Sequence, residues 1–148
     1  MYKHILIATD GSELASKGIQ HGLALAKPLG AKVTVLTVTE PLSTVAADVA
    51  KRESVTDPFG EYEQQMDRYA ERITKEAKAK ASELGVSIEI NRETDQLPAE
   101  AIVRSARLNG CDLIVMSSHG RRGINKLLLG SQTSEVLAHT TIPVLVVR

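Results

Sequence analysis

Asp112-Leu-Ile-Val-Met116, then Ser117-Ser-His-Gly120, a nine-residue spacer, Gly130-Ser131 and the closing Ile142-Pro-Val-Leu-Val-Val147 decide the fold. A continuous apolar run that empties into Ser, Ser, His and Gly reads as a parallel strand, buried on both faces and ending in a polar turn. Small residues in such a turn let the backbone approach a ligand closely. Gly130 and Ser131 open a helix predicted over Ser131 to about Ala138, whose first free N–H groups and positive dipole end face the same space. Two anion-binding elements are thus expected within fifteen residues of each other.

Working outward, Tyr2 to Thr9 is an apolar first strand, and Asp10-Gly-Ser12 is a turn that caps a helix running to about Lys27. Pro28-Leu-Gly30 stops that helix. Lys32 to Thr39 is the second strand. Between Pro41 and Gly60 the periodicity fades, which predicts a partly helical excursion rather than a long plain loop. Glu61 to about Leu84 is the longest helix, rich in charge around a narrow apolar stripe and stopped by Gly85. Val86 to Arg92 alternates as a third strand, and Pro98 starts a helix to about Leu108. The resulting β-α-β-α-β-α-β-α-β order predicts an α/β fold: an open, parallel, five-stranded Rossmann-like sheet with helices on both faces.

Composition narrows the function classes. The chain has 148 residues, 43% hydrophobic and 24% charged, which suits a single domain over 1–148 and leaves no room for a second. Eighteen basic residues balance eighteen acidic ones, so no general pull towards nucleic acid or anionic membrane is expected. One Phe, three Tyr and no Trp argue against a base-stacking platform. No apolar run approaches the ~20 residues of a membrane span, and no secretory pattern opens the chain, so a cytoplasmic location is expected. Cys111 has no disulfide partner and reads as a small buried hydrophobe. Of the four histidines only His119 falls in a candidate site, and no metal-ligand spacing surrounds any of them.

Ser117-Ser-His-Gly120-Arg-Arg-Gly-Ile-Asn-Lys-Leu-Leu-Leu-Gly130-Ser131 resembles the signature of the nucleotide-binding branch of the universal stress protein family: Gly, two residues, Gly, nine residues, Gly, then Ser or Thr. Gly120, Gly130 and Ser131 match, and Ser117 stands where the family has its first Gly. The resemblance extends to Ile5-Leu-Ile-Ala-Thr-Asp-Gly-Ser12 and Pro143-Val-Leu-Val-Val-Arg148, and so covers the whole chain. It implies the spatial strand order 3-2-1-4-5. The first and fourth strands would then be neighbours, and their C-terminal turns would meet at the crevice where the winding reverses.

On this resemblance the ligand is ATP or another adenine nucleotide, with Mg²⁺ or Mn²⁺. Phosphate would lie over Gly120 and the helix start at Gly130, Ser131, Gln132 and Thr133, held by backbone N–H groups and two hydroxyls. Asp10 would approach the ribose or hold the metal, while Val38 and Met116 would frame the adenine beside Ala8 and Thr9. Ala8 stands where the family often has Pro or Val. Ser117, His119, Arg121 and Arg122 complete the candidate set. Asp10 also suits a plain turn acid, His119 a loop histidine, and the two arginines solvated charges.

The chain lacks the Gly-x-x-x-x-Gly-Lys-Ser/Thr loop of P-loop hydrolases, and no base is evident beside a water position. The expectation is therefore a stress-response regulatory or protective module that is not an enzyme, with at most slow ATP hydrolysis. Two alternatives stand beside it: a nucleotide-free dimeric interaction protein, and a slow ATP hydrolase. A phosphorylated receiver domain fits poorly, since strand four ends in Ser117 where such a domain needs an Asp. Strand 143–147 ends the chain as an open sheet edge, which predicts a homodimer through that strand. A further protein partner is left unidentified.

Overall fold

Strong local signals fix most elements where the sequence places them. A computed structural model describes residues 1–121 and 128–148. Within them the order is β1 (His4–Ala8), α1 (Glu13–Leu29), β2 (Lys32–Thr39), α2 (Thr44–Arg52), α3 (Pro58–Leu84), β3 (Ile88–Thr94), α4 (Pro98–Leu108), β4 (Leu113–Ser117), α5 (Ser131–His139) and β5 (Val144–Val147). The expected excursion after β2 is α2, capped by the Ser43 hydroxyl, which accepts from the Ala46 N–H. α3 begins three residues earlier than periodicity suggests. Asp57 caps it and Pro58 opens it, so the turn signal Asp57-Pro-Phe-Gly60 belongs to the helix start. α1 runs on through Pro28, one residue before its end, and Gly30 in the left-handed region (φ 61°) then closes on Ala26 and Lys27. β3 sits two residues later than expected.

All neighbouring strands pair in parallel, in the order β3-β2-β1-β4-β5. Ile5 of β1 stands between Val33 of β2 and Leu113 of β4, so three apolar runs form the sheet centre. Side-chain alternation splits the core into two layers. Ile5, Ile7, Val33, Val35 and Val115 pack against α1 and α3 through Ile19, Leu23, Ala77 and Ala81. Leu6, Leu36, Ile114 and Met116 pack against α4 and α5 through Ile102, Ala106 and Val136. At ~25 cal/mol per Å² of apolar surface removed from water, this two-sided burial is the main stabilising term. At the β3 edge Arg92 binds Glu63 and Asp67 of α3 and the hydroxyls of Thr39 and Thr94, clamping helix to sheet. β5 is the other edge, with Leu145 37% exposed.

Candidate functional site

β1 and β4 lie side by side while their chains leave in opposite directions, and a crevice opens beyond their carboxyl ends. Its volume is about 390 Å³, within the usual range for small-molecule sites. Ala8, Leu36, Val38, Ile102 and Met116 form an apolar wall, and Asp10, Gly120, Arg121 and the start of α5 form a polar one. Of the residues expected from sequence, Ala8, Thr9, Asp10, Val38, Met116, Ser117, Gly120, Arg121, Gly130, Ser131, Gln132 and Thr133 all line this cavity. Arg122 lies outside the described residues.

His119 does not line the cavity. Its ring Nδ1 is 2.8 Å from the Ser118 hydroxyl, and its carbonyl accepts the Ser117 hydroxyl at 2.8 Å. Ser117 therefore turns its hydroxyl into the loop's own backbone. It closes β4 at ordinary negative φ, so its position does not require glycine.

The polar wall is built by close approach. A Cβ at Gly120 would meet the Asp10 carboxylate at 2.7 Å, and one at Gly130 would meet the Ser118 carbonyl at 3.0 Å. Asp10 is a latch: one carboxylate oxygen accepts the Ser12 N–H at 3.0 Å and the other the Arg121 N–H at 2.8 Å, joining the turn after β1 to the loop after β4. One side chain thus both closes the turn and lines the cavity.

Hydrogen bonding corrects the expected donor set at α5. The Gly130 N–H is spent on the Ser118 carbonyl at 2.7 Å. The Thr133 hydroxyl, almost fully buried, donates to the Ser117 carbonyl at 2.9 Å. Gln132 turns its side-chain oxygen to the Ala99 N–H at 3.1 Å, capping α4 from outside. Among the described residues, the backbone N–H groups of Ser131, Gln132 and Thr133 meet no acceptor, and the helix has no side-chain cap. These three donors, at the positive end of the helix dipole, suit an anion.

Four lining residues escaped the sequence reading: Leu36, Glu40, Pro98 and Ile102. Leu36 and Glu40 flank Val38 at strand period, and Ile102 follows Pro98 by one helical turn, so both spacings held the signal. Tyr69 on α3 is a further addition. Its hydroxyl donates to the Asp10 carbonyl at 2.8 Å, and the Arg121 guanidinium stacks 4.9 Å from its ring centre. Burial raises the Tyr69 phenol pKa above its ordinary value, against the opposing charge of Arg121. No local pattern marks a tyrosine 59 residues from its partner.

An open, doubly wound parallel sheet, with a crevice at its switch point that is apolar on one side and polar on the other, defines an α/β protein of the Rossmann-like class. The chain belongs to the universal stress protein family, whose model matches residues 1–148. A universal stress protein of Thermus aquaticus is 36% identical over 149 residues, spanning 100% of both chains. The solved structure of universal stress protein MJ0577 from Methanocaldococcus jannaschii superimposes with a TM-score of 0.82 at 30% identity, covering 99% of this chain and 96% of that one. A universal stress protein from Archaeoglobus fulgidus, solved in complex with dAMP, has a TM-score of 0.66 at 18% identity over 99% of this chain and 98% of that one; it shares the fold.

Proposed function

We propose that this chain binds an adenine nucleotide, ATP in the first instance, as a single-domain regulatory or protective module of the stress response in the cytoplasm. The observation that carries the reading is the division of one cavity into an apolar slot and an anion end. A base fits between Val38 and Met116, and phosphates fit against Gly120, Arg121 and the N–H groups of Ser131 to Thr133, which have no acceptor among the described residues. Asp10, between the two ends, faces the ribose. The dAMP bound by the Archaeoglobus relative supports the same ligand class.

A divalent ion accompanies the phosphates in this reading. Each Asp10 oxygen already accepts one N–H and keeps a lone pair. Among the described residues no cluster of three metal-ligating side chains forms. Mg²⁺ or Mn²⁺ would therefore be held mainly by the nucleotide and water, with Asp10 as protein ligand, as is usual for nucleotide-bound Mg²⁺. The module binds rather than turns over its ligand, because the sequence lacks the P-loop lysine and the remaining lone pairs of Asp10 are taken by the metal in this reading. Turnover stays far below the ~10 per second of a common enzyme.

The module is also proposed to be a homodimer through β5. The Pro143 and Val147 carbonyls accept from Ile114 and Ser118 of β4, so alternation turns the backbone of Val144 and Val146 to the open edge. No described helix is long and apolar enough to cross a membrane. The deciding experiment is mass spectrometry of the ligand released from purified protein, with calorimetric titration of ATP, ADP and AMP. An absence of any adenine ligand and of measurable affinity for all three would overturn the nucleotide reading.

A further inference from the structure

The adenine-nucleotide reading leaves open what holds a flexible arginine at the phosphate end. Arg121 follows Gly120 in the loop and lines the cavity, yet among the described residues no carboxylate pairs with its guanidinium. Only its backbone N–H is committed to Asp10. The guanidinium rests instead on the Tyr69 ring at 4.9 Å, and Arg72 approaches the same ring at 5.5 Å. Tyr69 is itself fixed at both ends: α3 carries its backbone, and its hydroxyl is bonded to the Asp10 carbonyl. Ile73, one helical turn beyond Tyr69, brings a methyl to 2.7 Å from where a Cβ on Gly11 would fall, so α3 is packed tightly on the turn after β1.

We propose that Tyr69 is a positioning residue for the phosphate site, holding the Arg121 guanidinium by cation–π contact so that its N–H donors are aimed at the ligand's phosphates before binding. An ion pair in that place would hold the arginine equally well but would neutralise it and occupy its donors. An aromatic face restrains the side chain and leaves both charge and donors available. The gain is a smaller ordering cost when the phosphate arrives. Tyr69 thereby acts on the phosphate half of the ligand and not on the base half, which rests on the apolar wall.

This inference rests on the adenine-nucleotide reading, and its test separates the two. ATP and adenosine affinities are measured by calorimetry for the wild type, Tyr69→Phe, Tyr69→Leu, Arg121→Ala and the Tyr69→Leu/Arg121→Ala double variant. A cation–π contact of about 0.5–1 kcal/mol corresponds to about a two- to five-fold change in affinity. Tyr69→Leu is expected to weaken ATP by about that factor more than it weakens adenosine, whose ribose feels only the lost bond to Asp10. Tyr69→Phe, which keeps the ring and loses only the bond to Asp10, should restore the ATP-to-adenosine ratio. In the double variant Tyr69→Leu should add nothing to the loss from Arg121→Ala, because the contact is already gone. Equal weakening of ATP and adenosine by Tyr69→Leu would mark Tyr69 as structural only and overturn the proposal, as would additive losses in the double variant. A wild type that binds neither ligand would overturn the nucleotide reading and this inference together.

Discussion

Replacing Gly130 with Val tests the anion end of the cavity most directly. Gly130 sits at φ −62° and ψ 156°, a conformation open to any residue, so the substitution carries no backbone penalty and its whole effect is steric. A Cβ there would meet the Ser118 carbonyl oxygen at 3.0 Å and the His119 Cα at 3.4 Å. That same carbonyl accepts the Gly130 N–H at 2.7 Å and the Thr133 hydroxyl at 3.3 Å, so it cannot recede without loosening the join between loop and helix. Alanine asks the contact to yield by a few tenths of an ångström, and the two methyls of valine ask for more. The N-terminus of α5 must then move away from the loop, at an overpacking cost of about 1–3 kcal/mol. Hydrogen bonds to charged groups contribute about 1.5–3 kcal/mol each. Misaligning one of the three free N–H donors should therefore weaken ATP by at least about ten-fold, while adenosine is affected far less. Calorimetry with both ligands, beside a urea unfolding curve showing that the variant is folded, gives the answer. A folded Gly130→Val protein that binds ATP within two-fold of wild type would refute the assignment of phosphate to this helix end.

Three further outcomes follow from other parts of the fold. Val146→Pro removes an N–H on the open side of β5 and spares the β4 ladder; light scattering should fall from twice the 16.0 kDa chain mass to the chain mass, and a persisting dimer would exclude the strand-paired interface. The Thr37 hydroxyl is buried with no partner among the described residues, so Thr37→Val, which keeps the shape, should stabilise by about 1 kcal/mol or more and raise Tm by about 2–4 °C; a lower Tm would show that the hydroxyl is satisfied. Burial pushes the Cys111 thiol from 9.0 up to about 11. The native state thus favours the neutral thiol, a contribution fully present below pH 9.0 and lost as pH rises through about 11. Iodoacetamide at pH 8 should label the protein slowly when folded and quickly in urea, and equal rates would contradict that burial.

The amino-acid sequence by itself determined the elements and the register of the candidate site. Apolar runs bounded by turn residues mark β1, β2 and β4, Pro98 marks the start of α4, and the Gly120 to Gly130 spacing marks the loop and helix that line the cavity. These are signals carried within a few residues of chain, where burial period and backbone conformation act directly. The strand order came from the family resemblance rather than from any local pattern, and pairing in the sheet bears it out. Tertiary structure alone decided which polar groups remain free. The sequence offers the Gly130 N–H and the Thr133 hydroxyl as ligand contacts, but the loop carbonyls claim both, and the Gln132 side chain turns to the start of α4. It likewise brought Tyr69 to Asp10 and Arg121, and turned His119 out of the cavity lining. The physical reason is that a donor goes to whichever acceptor lies within about 3 Å at a good angle, and at this site those acceptors come from segments distant in the chain.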